Sequence, residues 1–129
     1  LKKLPYFTRE RRKNLQLFTK LFSDDERFII QRENGFNSSF CFPIILNPEF
    51  NFDRETIFKA ISNADIGYRI ITGGSILRHD VMKYYDFEIV GKIVNANTLH
   101  DHGFFVGNHP NDLTPQITKL YEVLDYACN

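Results

Sequence analysis

Apolar residues recur at helical spacing in three parts of the chain, which predicts three amphipathic helices. The first covers about residues 8–23 and uses Thr8 as its N-cap, and the second covers about 54–64 behind Asp53. The third has Thr114 as cap and Pro115 in the first helical position. The core-facing positions are Leu4, Phe7, Leu15, Phe18, Leu21 and Phe22 for the first helix, Ile57, Phe58 and Ile61 for the second, and Ile117, Leu120, Tyr121, Leu124 and Ala127 for the third.

Shorter apolar runs between these helices predict strands. Residues 27–33 and 40–46 form a hairpin through a turn at 34–39, and further strands cover 67–72 and 104–106. The run at 40–46 is almost entirely apolar, so it is expected to be covered on both faces. Pro43 lacks an amide hydrogen, which places it at an edge or a bulge. Residues 75–94 give no clear pattern until a short helix, capped by 95–97, that runs through His102.

This order of elements predicts an α+β fold in which helices pack on a small, mostly antiparallel sheet. The length of 129 residues suits one domain, and no repeat or linker divides it. Hydrophobic residues make up 43% of the chain, too many for a disordered protein. The large aromatic share of 15% is best explained by a core built on Phe and Tyr.

Charge and composition also restrict the partners. Lys plus Arg and Asp plus Glu both number 16, so no net field attracts nucleic acid or an anionic membrane, and an aromatic-sheet RNA binder is disfavoured. No apolar run is long enough for a membrane helix. Cys41 and Cys128 make a weak case for a disulfide, so a reduced, cytoplasmic setting is expected. The chain does not begin with Met, which favours a fragment of a longer protein.

Two groups of residues could carry chemistry. His100, His102 and His109 with Asp101 contain metal-ligand types, but residues two apart on a helix point in different directions, so no metal site is predicted. No nucleophile motif stands out either.

The second group is the run from Arg69 through Gly73-Gly74 to Arg78-His79. Arginine binds phosphate or carboxylate through paired hydrogen bonds, and a glycine turn brings backbone amides close to an anion. On residue types alone, an anion-binding site and a set of surface ion pairs remain equally open, and the glycine pair by itself is more typical of a tight turn. The turn at 107–110 similarly presents polar groups after an apolar strand.

The order of these motifs resembles the C-terminal part of the DegT/DnrJ/StrS family of sugar aminotransferases. The resemblance covers essentially the whole chain. It is carried by the opening helix 1–14 with Arg11 and Asn14, the strands at 40–46 and 66–69, and the closing run from Gly107 to Ile117. Residues 69–79 and 102–109 look closer to the branch of 4-keto-6-deoxyhexose 3-dehydratases.

The resemblance implies that residues 1–129 are the C-terminal small domain of a fold-type-I enzyme dependent on pyridoxal phosphate (PLP). The large domain, which holds PLP and the catalytic residues, would lie outside this chain, so no catalytic or cofactor-binding residue is expected here and the isolated chain should be inactive. The parent would be a homodimer that dehydrates or transaminates a nucleotide-linked 4-keto-6-deoxy sugar for lipopolysaccharide or O-antigen biosynthesis.

The resemblance also implies a substrate-binding role for six residues as the small domain closes over the active-site cleft. Arg69, with Gly73 and Gly74 behind it, would contact the sugar or its diphosphate. His79, Asn108 and His109 would line the sugar end of the pocket. The alternative is a stand-alone α+β domain that binds a ligand or a protein without catalysis.

Overall fold

The computed structural model describes residues 1–129 and contains four α-helices and a four-stranded sheet. The helices are α1 (Leu4–Phe22), α2 (Arg54–Asn63), α3 (Val94–His102) and α4 (Thr114–Ala127), and the strands are β1 (Phe28–Ile30), β2 (Cys41–Leu46), β3 (Tyr68–Ile70) and β4 (Gly103–Gly107). The strand order is β1-β2-β4-β3, and every neighbouring pair is antiparallel. The predicted α+β fold is therefore confirmed. None of the helices is both long and apolar enough to cross a lipid bilayer.

The helix ends follow local chemistry, with three corrections to the predicted caps. The prediction that Thr114 caps the last helix is wrong, because α4 begins at Thr114 itself, after Leu113 and without a side-chain cap. Asp53 caps α2 as predicted, accepting a hydrogen bond from the Glu55 amide at 3.1 Å. The prediction that Thr8 caps α1 is wrong: the helix begins at Leu4, and Pro5 in its first turn has the fixed φ and missing donor that a helix start tolerates. The predicted cap at 95–97 is also wrong, because α3 begins at Val94 without a side-chain cap.

The predicted hairpin of β1 and β2 forms, with Ile29 opposite Ile45. The Asn47 amide donates a hydrogen bond to the Arg27 carbonyl. In an antiparallel ladder every second opposite pair is hydrogen-bonded, so the next such pairs are Ile29 with Ile45 and then Gln31 with Pro43. Pro43 has no amide hydrogen to give. β1 therefore stops at Ile30, shorter than predicted, and Pro43 lies in an inner strand at the point where its neighbour has ended.

The core lies on one face of the sheet, against α1, α2 and α4. Phe42, Ile44 and Leu46 of β2 are buried on that face, whereas Cys41, Pro43 and Ile45 on the other face are only half-buried. The prediction that β2 is covered on both faces is wrong, because none of the core helices packs on the second face. The aromatic residues do build the core: the Phe18 ring stacks between Phe22 and Phe42, each with ring centres 4.6 Å away.

A charged cluster ties the start of the hairpin to α4. The Arg27 guanidinium donates to both carboxylate oxygens of Asp25, at 2.9 and 2.8 Å, and to Asp125 at 2.6 Å. The Tyr121 hydroxyl donates to Asp25 at 3.0 Å. These hydrogen bonds, chiefly those from Arg27, hold the pKa of Asp25 below its ordinary value. The Asp25 carboxylate is therefore stabilised in its charged form by the fold.

Replacing Asp25 with Asn should destabilise the protein in a pH-dependent way. Because the folded pKa is depressed, the contribution of the carboxylate is fully present above its unfolded value of about 4 and is lost as the pH falls through the lower, folded value. The loss in free energy of unfolding on Asp25→Asn should be largest at neutral pH and shrink in acid. Urea titrations across the acidic range measure it, with exposed Glu26→Gln as control. A loss independent of pH would contradict the prediction.

Candidate functional site

The glycine turn after β3 packs directly against the end of α3. Gly74 has φ +46°, a left-handed conformation that favours glycine, and a Cβ built on it would lie 2.5 Å from His100 Nδ1. Gly73 has no such neighbour. The turn thus needs glycine at its second position, both for its backbone conformation and for contact with the His100 ring.

Two histidines hold this turn in place. The Ser75 amide donates to His100 Nδ1 at 3.3 Å, and His79 Nε2 donates to the Gly73 carbonyl at 2.9 Å. The two imidazole rings lie 6.0 Å apart, nearly perpendicular. The structure therefore brings together Gly73, Gly74 and His79, and adds His100, whose residue type had suggested only a metal ligand.

Ser75 closes the glycine turn, and its side chain is fully buried. The Ser75 amide is already donated to His100, and the Ser75 hydroxyl is buried with no hydrogen-bond partner. Neither polar group of Ser75 is therefore open to an anion from outside the chain. No group of three or more His, Cys, Asp or Glu side chains is arranged to hold a metal ion.

The two arginines of the predicted anion group, Arg69 and Arg78, differ in their partners. Arg78 pairs with Asp101 at 2.5 Å, and its hydrogen bond is the main reason why the pKa of Asp101 is lowered. Arg54 also reaches this place, donating to the carbonyls of His100 and Asp101 at 3.0 and 2.7 Å. Arg78 thus forms a surface ion pair with Asp101. For this residue, the structure favours the ion-pair alternative over the anion-binding one.

Arg69 has no such partner. It lies on the edge strand β3 opposite Phe105, is exposed, and forms no ion pair or side-chain hydrogen bond. Phe104 and Val106 point into the core, so Arg69 and Phe105 share the face that the core helices leave open. This guanidinium keeps its donors available for an anionic ligand.

Asn108 is the centre of a buried network at the other end of β4. Its side-chain nitrogen donates to the carbonyls of Arg11 and Ser39, at 3.0 and 2.8 Å, and its side-chain oxygen accepts from Asn14 at 3.0 Å. Its carbonyl accepts from the Arg11 guanidinium at 3.1 Å, and Asn14 also donates to the His109 carbonyl. The Asn108 amide is therefore fully used in fixing the turn that carries the exposed side chain of His109.

The six predicted site residues do not lie in one place. Gly73, Gly74 and His79 lie beside the first residue of β4, whereas Asn108 and His109 follow its last residue. The strand has five residues. At about 3.3 Å per residue its ends are more than 10 Å apart. His79 therefore lies at the opposite end of β4 from Asn108 and His109.

The structure also gives roles to residues outside the predicted site. Arg11 and Asn14 belong to the opening motif of the resemblance, and they support the Asn108 turn from α1. The signal for His100 was its place in the His-Asp-His run, but only the packing of Gly74 against its ring shows what it contacts.

The architecture of this chain is similar to part of the chains of solved sugar 3-dehydratases, one of them with bound PLP. It matches the solved structure of the Escherichia coli GDP-4-keto-6-deoxy-D-mannose 3-dehydratase with bound hydrated PLP, with a TM-score of 0.89 and 38% identity over 96% of this chain. A variant of the dehydratase ColD with bound GDP-perosamine matches with a TM-score of 0.88 and 37% identity over 95% of this chain. The chain covers 32% of each of these structures.

The chain belongs to the DegT/DnrJ/EryC1/StrS aminotransferase family, whose model matches residues 1–124. It is 40% identical to the GDP-4-keto-6-deoxy-D-mannose 3-dehydratase of Yersinia pseudotuberculosis over 96% of its own length. The resemblance inferred from the motifs, including its dehydratase branch, is confirmed. The chain spans about a third of the length of the curated relatives it matches.

Replacing Gly74 with Ala should destabilise the turn, since the new methyl group would meet the His100 ring in a left-handed backbone conformation. We expect a loss of about 1–3 kcal/mol in the free energy of unfolding, together with displaced His100 ring resonances. Urea unfolding and imidazole NMR shifts measure the two effects. Gly73→Ala is the matched control, since a Cβ there meets nothing within 4 Å. Equal effects of the two substitutions would refute the packing argument.

Proposed function

We propose that this chain is the C-terminal small domain of a PLP-dependent enzyme that removes the 3-hydroxyl of a nucleotide-linked 4-keto-6-deoxy sugar. The observation that carries the proposal is the 40% identity to a GDP-4-keto-6-deoxy-D-mannose 3-dehydratase over 96% of the chain. Dehydration is favoured over transamination because the solved structures that match at 38% and 37% identity are also 3-dehydratases. A role in lipopolysaccharide or O-antigen biosynthesis, in the cytoplasm, follows from the family branch.

In this proposal, PLP is held by a part of the complete enzyme that lies outside this chain. PLP, when bound there, supplies the electron sink for chemistry beside the keto group. The residues of this chain would instead bind and orient the sugar nucleotide and exclude water, as the small domain closes over the cleft. The parent enzyme is expected to work as a homodimer.

Arg69 is the residue best suited to contact the substrate. A nucleotide-linked sugar carries a diphosphate, and an exposed guanidinium without an internal partner can bind it through paired hydrogen bonds. The turn of Gly73 and Gly74 follows β3 directly, and His79 Nε2 anchors that turn at the Gly73 carbonyl. His79 and the turn would thus shape the wall beside Arg69.

Asn108 and His109 take different parts in this proposal. The amide of Asn108 has partners within the chain for all its polar atoms, so it acts as a positioning residue for the turn. His109 is exposed at the end of β4, where it is available to a substrate group at the second end of the sheet.

The complete enzyme carrying this chain should convert GDP-4-keto-6-deoxy-D-mannose to a sugar that lacks the C3 oxygen, in the presence of PLP and glutamate. Mass spectrometry of the product measures the outcome. A product that carries an amine at C4 would show that the enzyme transaminates the sugar rather than dehydrating it. Absence of any turnover, in a protein that is folded and binds PLP, would overturn the proposed substrate class.

Replacing Arg69 with Ala in the complete enzyme should lower kcat/KM at least tenfold, equivalent to about 1.4 kcal/mol of transition-state binding. Arg69→Lys should recover part of the loss, because it keeps the charge but not the planar pair of donors. Steady-state kinetics measure both, with exposed Arg32→Ala as the control for a lost surface charge. Unchanged kinetics in Arg69→Ala would remove Arg69 from the site.

A further inference from the structure

Residues 84–94 form a strongly apolar surface. The whole chain exposes 17 large hydrophobic side chains, and six of them lie within these eleven residues. They are Tyr84, Tyr85, Phe87, Ile89, Val90 and Val94, exposed by 47–85%. Single exposed hydrophobic residues are ordinary on a protein surface, but a contiguous group marks a contact with something else.

The backbone amides of this segment also lack partners within the chain. Residues 85–93 belong to no helix or strand, and none of the amides of 86–93 donates a hydrogen bond within the chain. Gly91 has φ +79°, a left-handed conformation that favours glycine, and it lies at a bend in the segment.

The position and charge of the segment indicate what covers it. It begins at the last residue of the 3-10 helix Asp80–Tyr84, which starts directly after His79, so along the chain it adjoins the proposed substrate residues. Its charged residues, Asp86, Glu88 and Lys92, nearly balance, so neither a polyanion nor a polycation suits it. The chain spans only 32% of the length of a curated relative, so the complete enzyme of the proposed function would have a second unit to meet this surface.

We propose that residues 84–94 are the docking segment through which this domain contacts the PLP-binding unit of the complete enzyme. The inference rests on the proposed function, because that function supplies the second unit. The apolar side chains would be removed from water against that unit, and the open amides would find acceptors there. This contact would fix the position of Arg69 and the glycine turn relative to the active-site cleft.

Hydrogen–deuterium exchange compares the 129-residue chain with the complete, PLP-loaded enzyme. In the isolated chain the peptides covering 84–94 should exchange freely, whereas in the complete enzyme we expect exchange at least about tenfold slower, independent of protein concentration. Fast exchange in both proteins would overturn the proposal. Slow exchange in the isolated chain that grows with concentration would show that a second copy covers the segment, and would also overturn it.

A double substitution tests whether the side chains carry the contact. Tyr85→Ser with Val90→Ser should restore fast exchange at 84–94 in the complete enzyme, without changing the urea unfolding of the 129-residue chain. Tyr126→Ser is the matched control, because Tyr126 is 86% exposed on α4 and lies outside the segment. Retained protection in the double variant would refute the role of these side chains.

The two proposals fail separately. Protection at 84–94 in a complete protein that binds PLP but does not convert the sugar would refute the proposed substrate and leave the docking segment standing. Sugar conversion without protection at 84–94 would refute the docking segment and leave the proposed substrate standing.

Discussion

The antiparallel pairing of β2 with β4 is the constraint on which the other features of this chain depend. The two strands come from distant parts of the sequence, and they place Phe42 opposite Val106 and Ile44 opposite Phe104 on the face covered by helices. Each such large side chain contributes about 1.5–3 kcal/mol when it leaves water. A shift of one residue would turn these side chains to the open face, so the hydrophobic core selects the register.

Once β4 is fixed, both groups of candidate substrate residues are fixed with it. The first residue of β4 follows α3, and His100 of α3 accepts a hydrogen bond from the glycine turn. The last residue of β4 is followed by Asn108, to which Asn14 of α1 donates a hydrogen bond. The two groups are built differently. The glycine turn is held by imidazole contacts at the surface, whereas the Asn108 turn is held by a buried amide whose partners are all within the chain.

Charged side chains that have partners within the chain serve the fold, whereas those without a partner are available to a ligand. Arg78 and Asp101 neutralise each other, and Arg27 is occupied by Asp25 and Asp125, so these charges serve the fold. Arg69 stands apart because the chain offers it no partner. The same reasoning applied to apolar groups separates the core, which is shared by α1, α2 and α4, from residues 84–94, which the chain leaves uncovered. Both unsatisfied features lie on the stretch from β3 to α3, the part of the fold with the least regular structure.

Local patterns in the sequence determined the helix faces, the Asp53 cap, the hairpin and the α+β class, and the order of motifs identified the family. These succeed because periodicity and capping depend on residues a few positions apart. The tertiary structure alone decided that Pro43 ends β1, that Arg78 is paired while Arg69 is not, and that His79 and His109 lie at opposite ends of β4. Each of these depends on which distant strand or helix lies beside the residue, and that choice is made by burial of the whole core rather than by any short stretch of sequence.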